Sequence, residues 1–229
     1  MTPALVIFDM AGTTVEDRGQ VPTAFAETLA ANDVTITADE IARVRGASKR
    51  QAIRSLLPPS LREGASAMQA FDAEADRIYS EFCSNLSHSY RRGGVSPVPG
   101  AESVIHELRA RGIKVALTTG FDHNIVTLLL SQLGWMDNAV DAVVCGDDVS
   151  NSRPAPDMIL LAMKLTGVES PALVANVGDT TSDLESAARA GVRWNVGVLS
   201  GAHTREALER APHTHIVRSV ADLGGVLGS

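Results

Sequence analysis

The stretch Ala4-Leu5-Val6-Ile7-Phe8-Asp9-Met10-Ala11-Gly12-Thr13-Thr14 joins an apolar run to a polar turn. Five apolar residues in a row, without alternation, suit a strand buried on both faces in a parallel sheet covered by helices. The run stops at Asp9. Open α/β sheets bind ligands beyond the carboxyl ends of their strands, which puts Asp9 at the mouth of a pocket. Gly12, Thr13 and Thr14 then offer a tight turn, exposed backbone amides and hydroxyls, groups suited to an anion. An Asp at a strand end equally well begins a turn, so the other strands have to arbitrate.

Beyond residue 96 helix and buried strand alternate. The pattern predicts strands over Ile113–Thr118, Asp141–Cys145, Leu173–Val177 and Trp194–Val198. Between them it predicts helices over Ala101–Arg111, from Asp122 to Leu133 with Gly134 as its stop, over Ala155–Thr166 and over Ser182–Ala190. Such alternation implies right-handed crossovers and an α/β class with a doubly wound parallel sheet. Residues 15 to 95 carry only helical patterns. They comprise Val21–Asn32, a capping box at Thr37–Glu40, a short helix capped by Ser48 and stopped by Pro58-Pro59, and a longer helix capped at Ser60. In that last helix Met68, Phe71, Ala75, Ile78 and Phe82 repeat at three-four spacing, as the core of a cap or the seam of a homodimer would. The segment Arg91–Gly100 reads as a linker. The expected organisation is a core of residues 1–14 and 96–229, with residues 15–95 as a helical cap hinged at Val15–Gly19 and Arg92–Pro99.

At 229 residues the chain can bury one sizeable core or two modest ones. A net charge of -7 argues against nucleic acid or an anionic membrane as the main partner. No apolar run reaches the ~20 residues that span a bilayer, and a cytoplasmic protein is expected. Cys83 and Cys145 fall in a predicted helix and a predicted strand, as buried thiols in a reducing compartment do. His213 and His215 lie in a polar stretch without the spacing of a zinc site.

Four strand ends now converge. The first supplies Asp9 and Thr13, and the second Thr118, Thr119 and Gly120; the stretch after the third supplies Arg153 between Ser152 and Pro154, and the fourth Asp179 and Asp183. Strands that end in carboxylates can hold a hard dication such as Mg²⁺, which takes oxygen ligands and keeps several waters. A hydroxyl and a guanidinium from the other two suit phosphoryl oxygens, the Arg binding two at once.

Asp9-x-Ala11-Gly12-Thr13, the strand end at Thr118, Arg153-Pro154-x-Pro156 and Gly178-Asp179-x-x-x-Asp183 resemble the four motifs of the haloacid dehalogenase-like hydrolases that carry a helical cap. Ala-Gly-Thr-Thr in the first motif and Arg in the third are similar to the phosphonatase (phosphonoacetaldehyde hydrolase) branch. The resemblance covers the whole chain and implies a Rossmann-like core. It also implies that Asp9 is the nucleophile, forming an aspartyl-phosphate intermediate. Asp9, the Ala11 carbonyl and Asp179 would bind Mg²⁺, with Asp183 in support.

Most phosphatases of this superfamily place a second Asp two residues after the nucleophile, where this chain has Ala11. Losing a general acid is worth about 10²- to 10⁴-fold for an alkoxide leaving group. Cleavage of a P–C bond beside an aldehyde needs an electron sink instead, which an imine with a lysine provides. Gly46-Ala47-Ser48-Lys49 looks like the cap stretch that carries the family's imine-forming lysine. Lys49 also stands at a predicted helix start, where the dipole disfavours an ammonium. A solvated lysine at a helix start fits the same pattern. Three positions depart from the family: Arg45 replaces a Met, Ala52 a His and Phe121 a Tyr. Arg45 either contacts a further anionic group of the substrate or ends its helix. The expected activity is Mg²⁺-dependent cleavage of a small phosphonate. A small-molecule phosphatase, a sugar-phosphate mutase and a phosphoryl-binding domain without catalysis are the competing readings.

Overall fold

The computed structural model describes residues 2–37, 40–41, 44, 46, 48–58, 67–136 and 138–228. Six parallel strands form one sheet: β1 Leu5–Asp9, β2 Lys114–Thr118, β3 Ala142–Val144, β4 Val174–Gly178, β5 Trp194–Val198 and β6 His215–Val217. Their order is β3-β2-β1-β4-β5-β6, so β1 is central and the order reverses on either side of it. Register pairs Asp9 with Thr118 and Phe8 with Val177, which brings the ends of β1, β2 and β4 level. All five residues of β1, β4 and β5 are buried, as near-continuous apolar runs between two helical layers should be.

The side chains of β1 point alternately to two cores. Val6 and Phe8 join Leu117 and Val177 on one face, while Leu5 and Ile7 pack on Met158, Ile159 and Ala187 on the other. The first core continues without a break into the helices of residues 20–93, through Phe25, Leu29, Ile53, Phe71 and Phe82.

Those helices are α1 Gln20–Ala31, α2 Lys49–Leu56 and α3 Ala67–Gly93. Between α1 and α2 the expected capping box forms: the Glu40 amide donates to Thr37 Oγ1 at 3.2 Å, and the Thr37 amide donates to Glu40 Oε2 at 2.8 Å. Ser48 caps α2 by accepting from the Gln51 amide at 3.5 Å, and Leu57, in extended backbone ahead of Pro58, ends it. The proposed cap at Ser60 lies outside the described residues. Phe71, Ala75, Ile78 and Phe82 of the apolar stripe are buried within the chain itself, and Met68 is left exposed. Phe82 meets Phe25 edge to face, with ring centroids 5.7 Å apart.

The remaining helices are α4 Ala101–Ala110, α5 His123–Leu133, α6 Asp157–Thr166, α7 Thr181–Ala190, α8 Arg205–Glu209 and α9 Gly224–Leu227. The two chain crossings between sheet and helices pair with each other: the Glu16 amide donates to the Ser96 carbonyl and the Val98 amide to the Thr14 carbonyl, each at 2.9 Å. Arg91, Arg92 and Gly93, read from composition as linker, are helical. Their amides continue a 27-residue helix whose apolar stripe runs on to the buried Leu86 and Tyr90, and that burial outweighs the weak local propensity. Cys145 lies one residue beyond β3, and Cys83 is half-buried where full burial was expected. α6 begins at Asp157, two residues later than expected, because the ring of Pro156 disfavours helical backbone at Ala155 before it.

Candidate active site

Asp9 ends β1 beside Thr118, and Arg153 bridges the strand ends. Arg153 donates from one guanidinium nitrogen to Asp9 Oδ1 at 2.6 Å and meets Asp183 Oδ1 at 2.5 Å. Its other terminal nitrogen donates to Thr118 Oγ1 at 3.0 Å. All four side chains are buried. Asp183 is positioned by a capping box at the start of α7: its Oδ2 accepts from the Thr180 amide at 3.0 Å and from the Thr180 hydroxyl at 2.5 Å. Both Asp183 oxygens are thus engaged by the protein.

Asp179, the first residue after β4 and buried, is held from two loops. Its Oδ2 accepts from the Ala202 amide at 2.6 Å, and its Oδ1 from Thr13 Oγ1 at 3.4 Å. Gly12 packs so closely that a Cβ there would overlap the Asp179 carboxylate, and its φ of +92° suits glycine. The segment Ser200–Ala202 was not expected from the sequence. Its signal is the same as that of the other four, a short polar turn after a buried strand. Ser200 Oγ donates to the Gly12 carbonyl at 2.8 Å, which ties the fifth strand end to the first.

The turn after Asp9 corrects one expectation. The amides of Thr13, Thr14 and Val15 all donate to the Met10 carbonyl, and the Gly12 amide to that of Val15. They close the turn on itself and are not presented to an anion. The Thr14 hydroxyl is likewise taken, donating to the Asp9 carbonyl at 2.9 Å.

Three buried carboxylates therefore surround one buried guanidinium. Burial, followed by the charge of Asp183, pushes the Asp9 carboxyl up to about 6 against the attraction of Arg153. Burial, then Asp9 and Asp183, raises Asp179 well above the usual carboxylate range. Burial alone would pull Arg153 down, but Asp183 and Asp9 outweigh it and keep the guanidinium charged. The donor set is all oxygen and its negative charge exceeds the one cation, so a hard dication fits between Asp9 and Asp179. Ala11 lines the same space.

That space is a cavity of about 70 Å³ beneath the helices of residues 20–56. Asp9, Arg153, Thr119, Gly120 and Asp179 form its floor, while Val21, Phe25, Ile41 and Lys49 form its roof and Asp17 part of its wall. Lys49 is the first residue of α2 and is buried; its Nζ donates to the Val44 carbonyl at 3.3 Å and lies 5.9 Å from the Phe25 ring centroid. The roof approaches the floor through Gly46, where a Cβ would overlap the Thr180 side chain and the φ is +76°. Arg45 lies outside the described residues. Thr119 donates its amide to the Val144 carbonyl at the end of β3, and its hydroxyl turns back into its own loop to accept from the Phe121 amide at 3.3 Å. Asp17, Phe25 and Ile41 were not anticipated as lining residues, because helical periodicity marks them as cap surface or core alike.

A family model described as haloacid dehalogenase-like hydrolase matches residues 3–191. The chain belongs to the haloacid dehalogenase-like hydrolases. A phosphonoacetaldehyde hydrolase from Bacillus cereus is 34% identical over 201 residues, covering 86% of this chain and 75% of that protein. Among solved structures, a hydrolase from Pseudomonas syringae superposes with a TM-score of 0.84 at 26% identity, covering 99% of this chain and 98% of the other. A phosphonoacetaldehyde hydrolase-like protein from Oleispira antarctica superposes with a TM-score of 0.82 at 24% identity, covering 99% and 92%, a likeness of fold. This hydrolase is thus an enzyme related in sequence to phosphonatases. Among its described residues no helix is long and apolar enough to cross a membrane.

Proposed function

We propose that this hydrolase cleaves the P–C bond of a small carbonyl-bearing phosphonate. The observation that carries the reading is that Asp9 and Lys49, forty residues apart in sequence, face one small cavity in which Ala11 stands where an acid would serve an alkoxide. A cavity of only about 70 Å³ favours a small substrate, a phosphoryl group on a short carbon chain.

In this mechanism the Lys49 amine condenses with the substrate carbonyl and releases water, giving an imine. Asp9 Oδ attacks phosphorus in line, the P–C bond breaks, and its electron pair passes into the imine to leave an enamine. Arg153 and Thr118 hold the phosphoryl oxygens from the side; the guanidinium that bonds Asp9 aims the nucleophile as well. Water then opens the aspartyl-phosphate, and protonation and hydrolysis of the enamine return Lys49. Asp9, the Ala11 carbonyl and Asp179 would hold Mg²⁺, with Asp183 fixing Arg153 close by. When bound, the ion supplies charge neutralisation that lets a carboxylate meet an anionic phosphoryl group. Thr119 and Gly120 shape the floor, Thr13 steadies Asp179 through its hydroxyl, and Arg45 is assigned to a further anionic group of the substrate.

The second reading, a phosphatase for small phosphate monoesters, draws on the Lys49 contacts. A donor to the Val44 carbonyl placed near the face of Phe25 also suits a permanent ammonium that pairs with a substrate anion. Borohydride reduction in the presence of an aldehyde-bearing phosphonate separates the two. The first reading expects inactivation with the substrate-derived mass on Lys49, and loss of P–C cleavage in Lys49→Arg. Normal cleavage by Lys49→Arg with no trapped adduct moves the assignment to the phosphatase.

A further inference from the structure

We propose a second metal site, for a borderline-soft dication such as Zn²⁺, built by His123, Cys145 and Asp147 beside the loop that floors the active site. Among the described residues these are the three whose donor atoms all lie within 4.8 Å of one another. Their donor set of imidazole, thiolate and carboxylate is that of Zn²⁺ and contrasts with the all-oxygen set of Asp9 and Asp179.

Two backbone turns lock the cluster. His123 opens α5 directly after Asp122, whose side chain caps the helix by accepting from the Ile125 amide at 3.0 Å. Cys145 follows β3 in a turn closed by its own amide donating to Asp148 Oδ2 at 2.7 Å and by the Asp148 amide donating to the Cys145 carbonyl at 3.1 Å. The Gly146 amide donates to the Phe121 carbonyl at 2.8 Å and fastens one turn to the other.

The imidazole is oriented as a ligand. Its Nδ1 lies 3.4 Å from Cys145 Sγ, and two such ligands on a tetrahedral ion, with bonds of ~2.0 and ~2.3 Å, stand about 3.5 Å apart. Its Nε2 pairs with Asp148 Oδ1 at 2.8 Å, the carboxylate partner that fixes a metal-binding histidine in the tautomer with Nδ1 free of hydrogen. Asp147 supplies the third donor from the solvent side, its carboxylate lying within 4.8 Å of the other two donor atoms. Binding replaces the thiol proton: Zn²⁺ takes the Nδ1 lone pair and the Sγ electron pair, and one proton leaves to solvent. Burial first, then Asp148 and Asp147, pushes the unbound thiol up to about 12, so at neutral pH that proton is displaced by the ion and not lost beforehand.

The position bears on the active site because Gly146 is fastened to the Gly120–Phe121 loop, and Gly120 and Phe121 line the catalytic cavity. The test titrates Co²⁺, a spectroscopic stand-in for Zn²⁺, into the full-length protein kept in excess Mg²⁺. One equivalent is expected to produce a near-ultraviolet thiolate-to-cobalt band with visible bands of tetrahedral intensity. Cys145→Ser and His123→Ala each remove the near-ultraviolet band, Cys83→Ser retains it, and Asp148→Asn weakens Co²⁺ binding about tenfold. No such band on the wild type at stoichiometric Co²⁺ overturns the proposal, as does a band that is lost in Cys83→Ser instead. The His123 side chain is 61% exposed, so His123→Ala is expected to fold, and an unaltered band in that variant overturns the site whatever becomes of Cys145→Ser.

Discussion

Asp9 carries two burdens: it is the proposed nucleophile, and it is one of three acids around a single Arg153. Asp9→Asn is expected to abolish turnover, since an amide neither attacks phosphorus nor binds a dication; residual turnover above about a tenth of wild type removes the assignment. The same charge crowding predicts an unusual pH dependence. Asp9 is raised from 3.8 to about 6, so the native state binds its proton more tightly than the unfolded chain. Its contribution to stability is full below about pH 4 and is lost as the pH rises through about 6. Asp179 shifts in the same direction. Metal-free protein should therefore be less stable at about pH 7.5 than at about pH 5, by about 1 kcal/mol from Asp9. Mg²⁺ should restore the loss at the higher pH. Unfolding curves in chelator and in Mg²⁺ at both pH values check this, and a metal-free stability that increases from pH 5 to 7.5 contradicts it. Arg153→Lys replaces a planar fork that reaches Asp9, Asp183 and Thr118 with one ammonium. A loss in kcat/KM of about tenfold or more is expected from charged hydrogen bonds worth ~1.5 to 3 kcal/mol; unchanged kinetics would place Arg153 outside the chemistry.

Elements matter here through their ends. The capping box of α7 both starts a helix and aims Asp183 at Arg153, so a local stability device sets the geometry of the proposed site. Behind it, Asn176 on β4 donates to the Asp183 carbonyl at 3.5 Å, and Asn195 on β5 donates to the Leu184 carbonyl at 2.7 Å. These buried amides pin the helix start to the sheet. The approach of the cap loop to the floor rests on Gly46. Gly46→Ala adds a Cβ where the Thr180 side chain stands, at a φ of +76° that costs an L residue roughly 1–2 kcal/mol. It should lower kcat/KM about tenfold while the single melting transition moves down by only roughly 2–8 °C. Steady-state kinetics with parallel melting curves tests it. Wild-type kcat/KM in Gly46→Ala would show that the loop leaves Thr180 during turnover.

At the scale of the molecule, helices and sheet share one apolar cluster, so they are expected to unfold together. Calorimetry should show a single transition. Phe82→Ala, which empties the space against Phe25, should lower its stability by ~3–5 kcal/mol without splitting it. Two separated transitions would mean the helices of residues 20–93 fold alone. The apolar runs, their spacing and the polar residues that end them were enough to read the sheet, the inserted helices and the placement of Asp9, Thr118, Arg153 and Asp179, because burial on both faces leaves a local mark in every strand. The capping box at Thr37 and the helix start at Asp122 were legible for the same reason, since their partners lie three residues away. The partners of Arg153, the Ser200–Ala202 loop on Asp179 and the His123–Cys145 contact were not legible. Each joins residues that only strand register and loop closure bring together, and periodicity in a sequence carries no record of a neighbour supplied by another strand.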